Sequence, residues 1–424
     1  MSLSCFELGE RMLSVDEALD ALRELAPNSL ESESVSLSAS LDRVLAEDAI
    51  SPIDVPQNTN AAMDGIAMSW PGDNGQTRFA LQGEVLAGSR FDGRLSPGQA
   101  VTITTGAPLP EGADTVIMSE QLLWAQEESQ EGVGRWVEVQ QADRVRRGQN
   151  VREAGEDIPR GTKALSAGTR LKPQHLGLLA SLGMIEARVV RRPRVAIFST
   201  GDEVTAPGET LPAAGIFDSN RFSLHGLLTR LGCEVIDLGI LADDFTYIRG
   251  ALEEATQKAD MVITSGGVSV GQADLTRKAL DDTGRLGFWR IAIRPGRPLA
   301  FGTLGEHEIP FFGLPGNPVA VMVTFLQFVQ PLLRTLLGEH QWQPRRLTAI
   351  ADEPLQSRQG RVDFLRGVYA CDDQGRLHVR TTGRQGSGIL SSMVAANCLI
   401  EIEAARAGVA QGETVTLQPF GELT

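Results

Sequence analysis

The stretch Ala-Asp-Met-Val-Ile-Thr-Ser-Gly-Gly-Val-Ser-Val-Gly-Gln-Ala-Asp, residues 259–274, combines a short apolar run with a glycine-rich loop. The run at 261–264 is typical of a buried strand, and Ser265, Gly266 and Gly267 end it. Two glycines after a strand allow a sharp turn and bring backbone N–H groups close to a ligand. A helix is predicted just beyond the loop, and the positive end of its dipole favours an anion there.

The loop differs from two common phosphate-binding motifs and ends in an acidic residue. No Gly-Lys-Ser/Thr follows it, as in a P-loop, and its spacing is not G-x-G-x-x-G. Ser269 and Gly271 lie in the loop, and Asp274 comes directly after it. A carboxylate there would repel an anion unless a hard cation such as Mg²⁺ lies between them. The spacing leaves two interpretations open, in which Asp274 either binds a metal or caps the next helix.

Length and composition are those of a multidomain protein without a nucleic-acid partner. A chain of 424 residues exceeds one hydrophobic core, so about two to four domains are expected. The hydrophobic content of 42% is ordinary, and the net charge of −15 argues against binding nucleic acid. The N-terminus lacks a signal pattern, no apolar run approaches a membrane span, and the cysteines form no C-x-x-C pair. We therefore expect a cytoplasmic protein without a disulfide framework or a zinc site.

Changes in residue pattern predict four units. Strands that alternate with helices of about 12 residues predict a doubly wound parallel α/β sheet, which binds ligands at the carboxyl ends of its strands. Short β-like runs between Gly/Pro turns predict two β domains, one inserted into a discontinuous N-terminal domain and one C-terminal barrel or sandwich. The predicted units are residues 10–52 with 143–187 (N-terminal domain), 53–142 (inserted β domain), 188–337 (α/β domain) and 338–424 (C-terminal β domain).

Two segments of the N-terminal unit show amphipathic patterns. Ser14 and Glu17 form a capping box, and apolar residues follow at helical spacing. A second amphipathic segment is predicted at residues 37–49. The Pro-rich residues 51–56 cannot be helical and are expected to leave the domain.

Four loops of the α/β domain carry small, polar or acidic side chains and are predicted to meet at one edge of the sheet. Glu203, Asp243 and Asp274 are candidates to hold Mg²⁺, which takes few protein oxygens and completes its shell with water and phosphate. For each residue alone an alternative stays open, since Asp243 or Asp244 could cap a helix and Glu203 could lie on the surface. The loops contain Glu203, Asp243, residues 265–274 and Pro315, Gly316 and Asn317.

One dense basic stretch stands out in this domain of an acidic chain. Arg290, Arg294 and Arg297 lie beside a Gly/Pro turn. A guanidinium group pairs with two oxygens of an oxyanion, so the stretch predicts an oxyanion site. The alternative is a solvated strand edge with salt bridges.

Seven motifs, in order along nearly the whole chain, resemble the molybdopterin molybdenumtransferase family, which includes the E domain of gephyrin. They are AAMDGIAM (61–68), TTGAPLPEGAD (104–114), REAGEDI (152–158), IFSTGDEV (197–204), ITSGGVSVGQAD (263–274), IAIRPGRPLAFG (291–302) and FFGLPGNPVA (311–320). The resemblance implies an α/β domain of the molybdopterin-binding type, an inserted β domain and a C-terminal barrel. It also implies a homodimer in which one subunit's second domain faces the other's α/β domain.

The resemblance implies the last step of molybdenum cofactor biosynthesis, in which adenylylated molybdopterin and molybdate give the cofactor and AMP with Mg²⁺ present. Two departures from the family pattern stand out. Ile66 replaces a common tyrosine, which is expected to alter packing only. Arginines replace the commoner lysines in the basic stretch, which keeps the charge but changes the geometry, so molybdate affinity could differ. Residues that match the family's catalytic positions are Asp64, Thr105, Asp157, Glu203, Asp243 and Asp274. Arg290 and Arg294 match basic positions tied to molybdate binding, and Arg297 lies in the same motif. Arg361 and Ser387 match the family's C-terminal contribution to that site. The loops of the α/β domain supply the other candidate cofactor-binding residues, which are Ser265, Gly266, Gly267, Ser269, Gly271, Pro315, Gly316 and Asn317.

Two other functions compete with this one. A protein that only holds molybdopterin would not need four carboxylates, Asp64, Glu203, Asp243 and Asp274, near an anion. A related α/β enzyme acting on pyridine nucleotides would not need the second domain and the barrel. We expect small-molecule substrates and no nucleic-acid or membrane partner. The sequence leaves open which carboxylates bind the metal, whether a paralogue uses another metal, and whether a molybdopterin adenylyltransferase docks on the chain.

Overall fold

The computed structural model describes residues 12–25, 29–71, 76–129, 132–242, 244–266 and 274–421. A seven-stranded mixed sheet forms the centre of the α/β unit. The strand Pro298–Leu304 runs antiparallel to both neighbours, whereas the sequence predicts a wholly parallel sheet. The reason is its short connections on both sides, which leave no room for a crossover helix. The strands lie in the order Met12–Leu13, Gly284–Ile291, Pro298–Leu304, Ile309–Leu314, Met261–Ser265, Arg194–Thr200 and Glu234–Leu241.

Helices cover both faces of this sheet, as the doubly wound prediction requires. Successive strand residues face opposite sides, so Ile197 packs in one apolar cluster and Phe198 in the other. One face is covered by Val15–Leu25, Asn220–Leu231 and Pro318–Thr324, the last continuing through a π-helical turn, Phe325–Val329, into Gln330–Leu336. The other face is covered by Phe245–Lys258 and Asp274–Thr283.

The N-terminal unit is built from segments on both sides of an insertion, which confirms that it is discontinuous. The capping box is present, because Ser14 N donates to Glu17 Oε2 and Glu17 N donates to Ser14 Oγ. The helix Val15–Leu25 packs on the α/β sheet, and the exact boundaries of the unit stay predictions. The paired strands are Ser32–Ser36 with Glu186–Val190 and Ala49–Ile50 with Lys163–Leu165, and the helix Pro173–Ser181 completes the unit. The pair Asn60–Ala61 and Val151–Arg152 packs with the inserted sheet.

The prediction of one amphipathic segment over residues 37–49 is wrong. The segment contains a 3₁₀ turn, Leu37–Ala39, then bridges at Val44 and Leu45, and it ends in the strand Ala49–Ile50. Its partners come from residues more than a hundred positions later, Arg170 and Val189. Local periodicity contains no information about pairing at that separation, and tertiary contacts override it.

The insertion is a six-stranded sheet with its own apolar clusters. Residues of both faces are buried, among them Ile66 and Phe79 in one cluster and Ala67 and Val101 in the other. The strands lie in the order Thr115–Met118, Gly65–Met68, Gln99–Ile103, Arg78–Val85, Gly132–Val139 and Leu122–Ser129, with 3₁₀ turns at Ser119–Gln121 and Ala142–Arg144.

The C-terminal strands close into a barrel, which decides between the barrel and the sandwich. Closure comes from the strand Val362–Cys371, which pairs with Leu377–Thr381 on one side and with Cys398–Ile402 on the other. The short strand Ile293–Arg294 of the α/β unit pairs in parallel with its first residues and joins the two units. The barrel strands are Val362–Cys371, Leu377–Thr381, Leu347–Ala351, Thr414–Pro419 and Cys398–Ile402, with the pair Leu355–Gln356 and Gly408–Val409 and the helix Leu390–Val394 beside them.

One stretch of the described residues, Pro318–Leu336, is long and apolar enough by length and composition to span a bilayer. The expectation that no apolar run approaches a membrane span is therefore wrong for this stretch. Its burial explains the composition, since 72% of its apolar window is covered by the rest of the fold. It is a core helix of the α/β unit.

Candidate active site

Three of the four loops predicted to meet at the carboxyl edge of the α/β sheet are joined there by contacts among the described residues. Gly266 N donates to Leu314 O at 3.1 Å, which joins the loop after one strand to the end of the next. Ser199 Oγ and Ser265 Oγ lie 3.3 Å apart at the ends of two neighbouring strands. Asn220 Nδ2 donates to Gly316 O at 2.7 Å, which holds the turn that contains Pro315 and Asn317. The helix Pro318–Thr324 begins directly after this turn.

The central loop begins with a glycine in a conformation that other residues rarely adopt. Gly266 has φ of +86°, and a Cβ atom placed there would lie 3.2 Å from Thr200 O at the end of the neighbouring strand. Ser265, directly before it, is buried at the strand end. Gly267, Ser269 and Gly271 lie outside the described residues. The helix begins at Asp274, as predicted, but its side chain lies outside the described part, so its two interpretations stay open.

Of the three predicted metal ligands, the described part of the chain includes the side chain of Glu203. It is exposed, and a Cβ atom placed on Gly201 would lie 2.8 Å from Glu203 Oε2, so the carboxylate folds back over its own loop. Asp243 lies outside the described residues, whereas Asp244 caps the helix Phe245–Lys258 by accepting from Tyr247 N. Among the described side chains, no group of three or more His, Cys, Asp or Glu is arranged so that it could hold a metal ion.

The donors at this edge are oxygens of carboxylates and hydroxyls, including Glu203, Ser199 and Ser265. Such a set fits Mg²⁺, which binds hard oxygen ligands, and does not fit a metal that prefers sulfur or imidazole. The assignment of Glu203, Asp243 and Asp274 as the ligands of such an ion stays a prediction.

A second group of candidate residues lies in the inserted sheet. Asp64 Oδ1 accepts hydrogen bonds from Thr105 N at 2.6 Å and from Thr105 Oγ1 at 2.8 Å. These two bonds hold the pKa of the Asp64 carboxyl below its usual range, so it stays ionised in mildly acidic solution. Asp157 lies in the neighbouring turn, where its backbone N donates to Val55 O. Among the described residues, no hydrogen bond or ion pair joins these three side chains to the α/β loops.

The arginine stretch faces the barrel through a buried carboxylate. Asp363 is fully buried, and its Oδ1 accepts from Arg361 Nε at 2.9 Å. Arg294 Nη1 lies 3.6 Å from Asp363 Oδ2, and the guanidinium is 47% exposed. The two arginines that sequence reasoning assigned to one site therefore share one counter-ion. Arg290 is exposed on the strand Gly284–Ile291, and Arg297 is exposed directly before the strand Pro298–Leu304. No contact among the described residues joins their side chains to this cluster.

Sequence reasoning missed Arg366, which is 1% exposed on the same barrel strand. Its Nε donates to Ser392 Oγ at 3.0 Å and its Nη2 donates to Gly386 O at 3.1 Å. Burial, and to a lesser extent the nearby charge of Arg294, lower the pKa of Arg366 to about 10, so it remains a cation at neutral pH. The available signal was the motif GRVDFLRG, which contains Arg366 as well as the assigned Arg361.

Ser387 lies where the barrel meets the α/β loops. Its backbone O accepts from Val319 N in the first turn of the helix Pro318–Thr324 at 3.1 Å. The preceding residues are held by Arg366, through Gly386 O and through Gln385, whose side chain bonds to the Arg366 backbone N and O. The barrel thus contributes Arg361, Arg366 and Ser387 beside a loop edge that contains Asn317.

Comparison with known proteins covers nearly the whole chain. Three family models match it: the MoeA N-terminal region (domain I and II) at residues 13–183, the probable molybdopterin binding domain at 196–335, and the MoeA C-terminal region (domain IV) at 348–420. The chain is 43% identical over 413 residues to a molybdopterin molybdenumtransferase of Haemophilus influenzae, which covers 97% of this chain and 100% of that protein. It is 31% identical to gephyrin of Dictyostelium discoideum over 99% of this chain and 64% of gephyrin.

The fold agrees with a solved structure of the same group. The molybdopterin biosynthesis moeA protein of Pyrococcus horikoshii OT3 superposes with a TM-score of 0.81 at 29% identity, covering 97% of this chain and 100% of that one. These matches confirm the resemblance, the fold class and the assignment as an enzyme of molybdenum cofactor biosynthesis. The chain belongs to the molybdopterin molybdenumtransferase family.

Proposed function

We propose that this chain inserts molybdate into adenylylated molybdopterin and releases AMP in a Mg²⁺-dependent reaction. The observation that supports it most is the cluster of Arg294, Arg361 and Arg366 beside the loops at the carboxyl edge of the α/β sheet. In a chain of net charge −15, such a cluster matches a small oxyanion brought to a site for an anionic substrate.

The substrates are both anions, so bringing them together costs Coulomb energy that the site must offset. Arg294 and Arg361 would bind molybdate with the outer faces of their guanidinium groups, and Ser387 would add a hydroxyl. The loop at residues 265–271 and the turn with Asn317 would hold the phosphate and pterin groups with backbone N–H donors. Mg²⁺ supplies charge neutralisation at the phosphate when bound, and Glu203, Asp243 and Asp274 would hold it.

The catalytic contribution of the chain would be positioning and charge stabilisation, without a protein nucleophile. Cleavage of the phosphoanhydride bond, with a water oxygen bonding to the adenylyl phosphorus, would leave negative charge on AMP and on the pterin phosphate, and the loop donors would stabilise it. Asp64, Thr105 and Asp157 belong to the inserted sheet and its flanking turn, so we propose that they act on the site of a second subunit in a homodimer. We further propose that the protein works in the cytoplasm, where a molybdopterin adenylyltransferase would supply its substrate.

AMP release from adenylylated molybdopterin, measured with and without molybdate and with and without Mg²⁺, tests the function. The transferase should release AMP in step with molybdenum incorporation, and chelation of Mg²⁺ should abolish both. A protein that only holds molybdopterin would bind the adenylylated pterin without releasing AMP. That result, with saturating molybdate and Mg²⁺, would overturn the proposed reaction.

The Mg²⁺ site is tested by Asp274→Asn, which removes one charge and changes few atoms. We expect folding to be intact and Mg²⁺-dependent turnover to fall about 100-fold or more, as when charge stabilisation of a transition state is lost. The matched control is Asp282→Asn, which makes the same change at an exposed position near the end of the same helix. Full activity of Asp274→Asn at limiting Mg²⁺ would remove it from the metal site.

A further inference from the structure

A buried carboxylate lies behind the cationic cluster and has no assigned role. Asp363 is 0% exposed at its side chain, and its backbone pairs with Arg294 across the junction of the α/β unit and the barrel. Its Oδ1 accepts from Arg361 Nε, whereas Oδ2 has no hydrogen-bond partner among the described residues. A buried acceptor without a donor is costly, so the position of this oxygen requires an explanation.

The geometry leaves the outer donors of both arginines available. Arg294 Nη1 is 3.6 Å from Oδ2, too far for a good hydrogen bond but close enough for strong attraction. Arg361 uses Nε for Asp363. Within the described part of the chain, neither guanidinium donates another side-chain hydrogen bond, and the two side chains are 47% and 30% exposed. The buried carboxylate of Asp363 therefore attracts the guanidinium groups of Arg294 and Arg361 from the protein interior. Their remaining N–H donors stay available to a ligand.

The cluster would otherwise repel itself. Arg294, Arg361 and Arg366 bring three positive charges together, and among the described residues Asp363 is the carboxylate in contact with two of them. From this geometry, and resting on the function proposed above, we propose that Asp363 is a positioning residue that holds Arg294 and Arg361 in the arrangement that binds a tetrahedral oxyanion. It acts through the arginines and does not touch the oxyanion, because it is fully buried.

The proposal and simple electrostatics predict opposite changes in molybdate affinity when Asp363 loses its charge. Asp363→Asn is nearly isosteric and raises the net charge of the cluster by one. If the cluster attracted anions by charge alone, the variant would bind molybdate more tightly. If Asp363 positions the arginines, the variant binds molybdate more weakly, because the new amide N–H₂ faces Arg294 donor to donor and the arginines move apart. We expect a loss of about tenfold or more, the effect of one misplaced charge-assisted hydrogen bond.

The experiment is calorimetric titration of the full-length protein with sodium molybdate, repeated with tungstate as a tetrahedral probe of similar size. Asp373→Asn, an exposed carboxylate on the same barrel, makes the same change of charge and should leave the affinity unchanged. Binding of adenylylated molybdopterin and the thermal midpoint are measured for each variant. A merely structural role would lower the thermal midpoint and weaken both ligands together, whereas a positioning role weakens the oxyanion selectively.

A double-mutant cycle shows whether Asp363 acts through Arg294. We expect Asp363→Asn to cost little further affinity when added to Arg294→Gln, and independent, multiplying losses would overturn the proposal. Unchanged or tighter molybdate binding by folded Asp363→Asn would overturn it while leaving the proposed function intact. Failure of the wild-type chain to bind molybdate would overturn both.

If Asp363→Asn does not fold, a crystal structure of the wild-type protein with molybdate tests the positioning role. The oxyanion should contact the outward nitrogens of Arg294 and Arg361, with both guanidinium groups still within about 4 Å of Asp363. A molybdate ion bound elsewhere, or an arginine that leaves Asp363 when the ion binds, would overturn the positioning role.

Discussion

The carboxylate of Asp64 shows how one residue can be tuned without burial. Thr105 gives it two donors, the backbone N–H and the hydroxyl, and the pKa of Asp64 falls below its ordinary value of 3.8 as a result. The ionised form is therefore favoured in the folded protein, an effect present above the ordinary pKa and lost as pH falls through the lowered one. A carboxylate kept ionised in this way keeps its charge at the pH values at which the proposed reaction would be measured.

Thr105→Val should shift the acidic limb of the activity profile to higher pH. The substitution removes the hydroxyl donor and keeps the backbone N–H, so the pKa of Asp64 rises part of the way to its ordinary value. Rates of AMP release across the pH range, with a carbon-13 titration of the Asp64 carboxyl, measure the shift. Thr105→Ser retains the hydroxyl and should reproduce the wild-type profile. An unshifted carboxyl titration in Thr105→Val would show that the hydroxyl bond does not hold the pKa.

The two interpretations of the basic stretch, an oxyanion site and a salt-bridged strand edge, predict different effects of replacing Arg294. Arg294→Ala should raise the molybdate concentration needed for half-maximal rate by about 10- to 150-fold, the range for one lost charge-assisted hydrogen bond. Affinity for the adenylylated pterin should change little. The exposed Arg358→Ala on the barrel is the matched control. A small loss of stability with an unshifted molybdate curve would favour the strand edge and remove Arg294 from the site.

At the scale of elements, local signals were sufficient where both partners lie close in sequence. The capping box of Ser14 and Glu17 predicts the helix Val15–Leu25 because its hydrogen bonds span three residues. The segment at 37–49 was mispredicted because its strand partners come from the far side of the insertion. The same limit hid Asp363, which lies far along the chain from Arg294 and meets it only through pairing of strands from two units.

The strand that begins after Asp64 tolerates no side chain at its first position. A Cβ atom on Gly65 would lie 1.8 Å from Ile117 O of the paired strand, so Gly65→Ala must displace one of the two strands. We expect a loss of about 1–3 kcal/mol in stability, the usual cost of overpacking, and lower activity because Asp64 moves with the strand. Urea unfolding followed by tryptophan fluorescence gives the measurement.

The control for this prediction is a second glycine substitution, which is expected to raise the stability instead of lowering it. Gly177 is exposed within the helix Pro173–Ser181, and a Cβ atom there would meet nothing within 4 Å. Gly177→Ala should therefore stabilise the protein by up to about 1 kcal/mol through helix propensity. Equal effects of the two substitutions would mean that the close approach at Gly65 does not constrain the sheet.

At the scale of the molecule, the barrel and the α/β unit form one packed body, whereas the inserted sheet has separate cores. Phe364, Met393 and Leu399 of the C-terminal unit belong to the same apolar cluster as the α/β strands. The two clusters of the inserted sheet contain residues between 61 and 151 only. The residues of the proposed oxyanion site thus lie within one packed body, while Asp64 and Thr105 are carried on a unit that shares no core with it. Sequence spacing could not distinguish these two cases, because both sets of residues are far apart along the chain.

This division leads to a test of whether the site forms between subunits. If Asp64 of one subunit completes the site of the other, mixed dimers of the inactive variants Asp64→Ala and Asp274→Ala contain one intact site and one doubly defective site. Random exchange of subunits makes half of the dimers mixed, so about a quarter of the wild-type sites should return by symmetry. AMP release is measured after exchange has been verified with differently tagged chains, and each variant exchanged with itself is the control. No recovery would mean that the site is complete within one chain or that Asp64 serves only the fold of the inserted sheet.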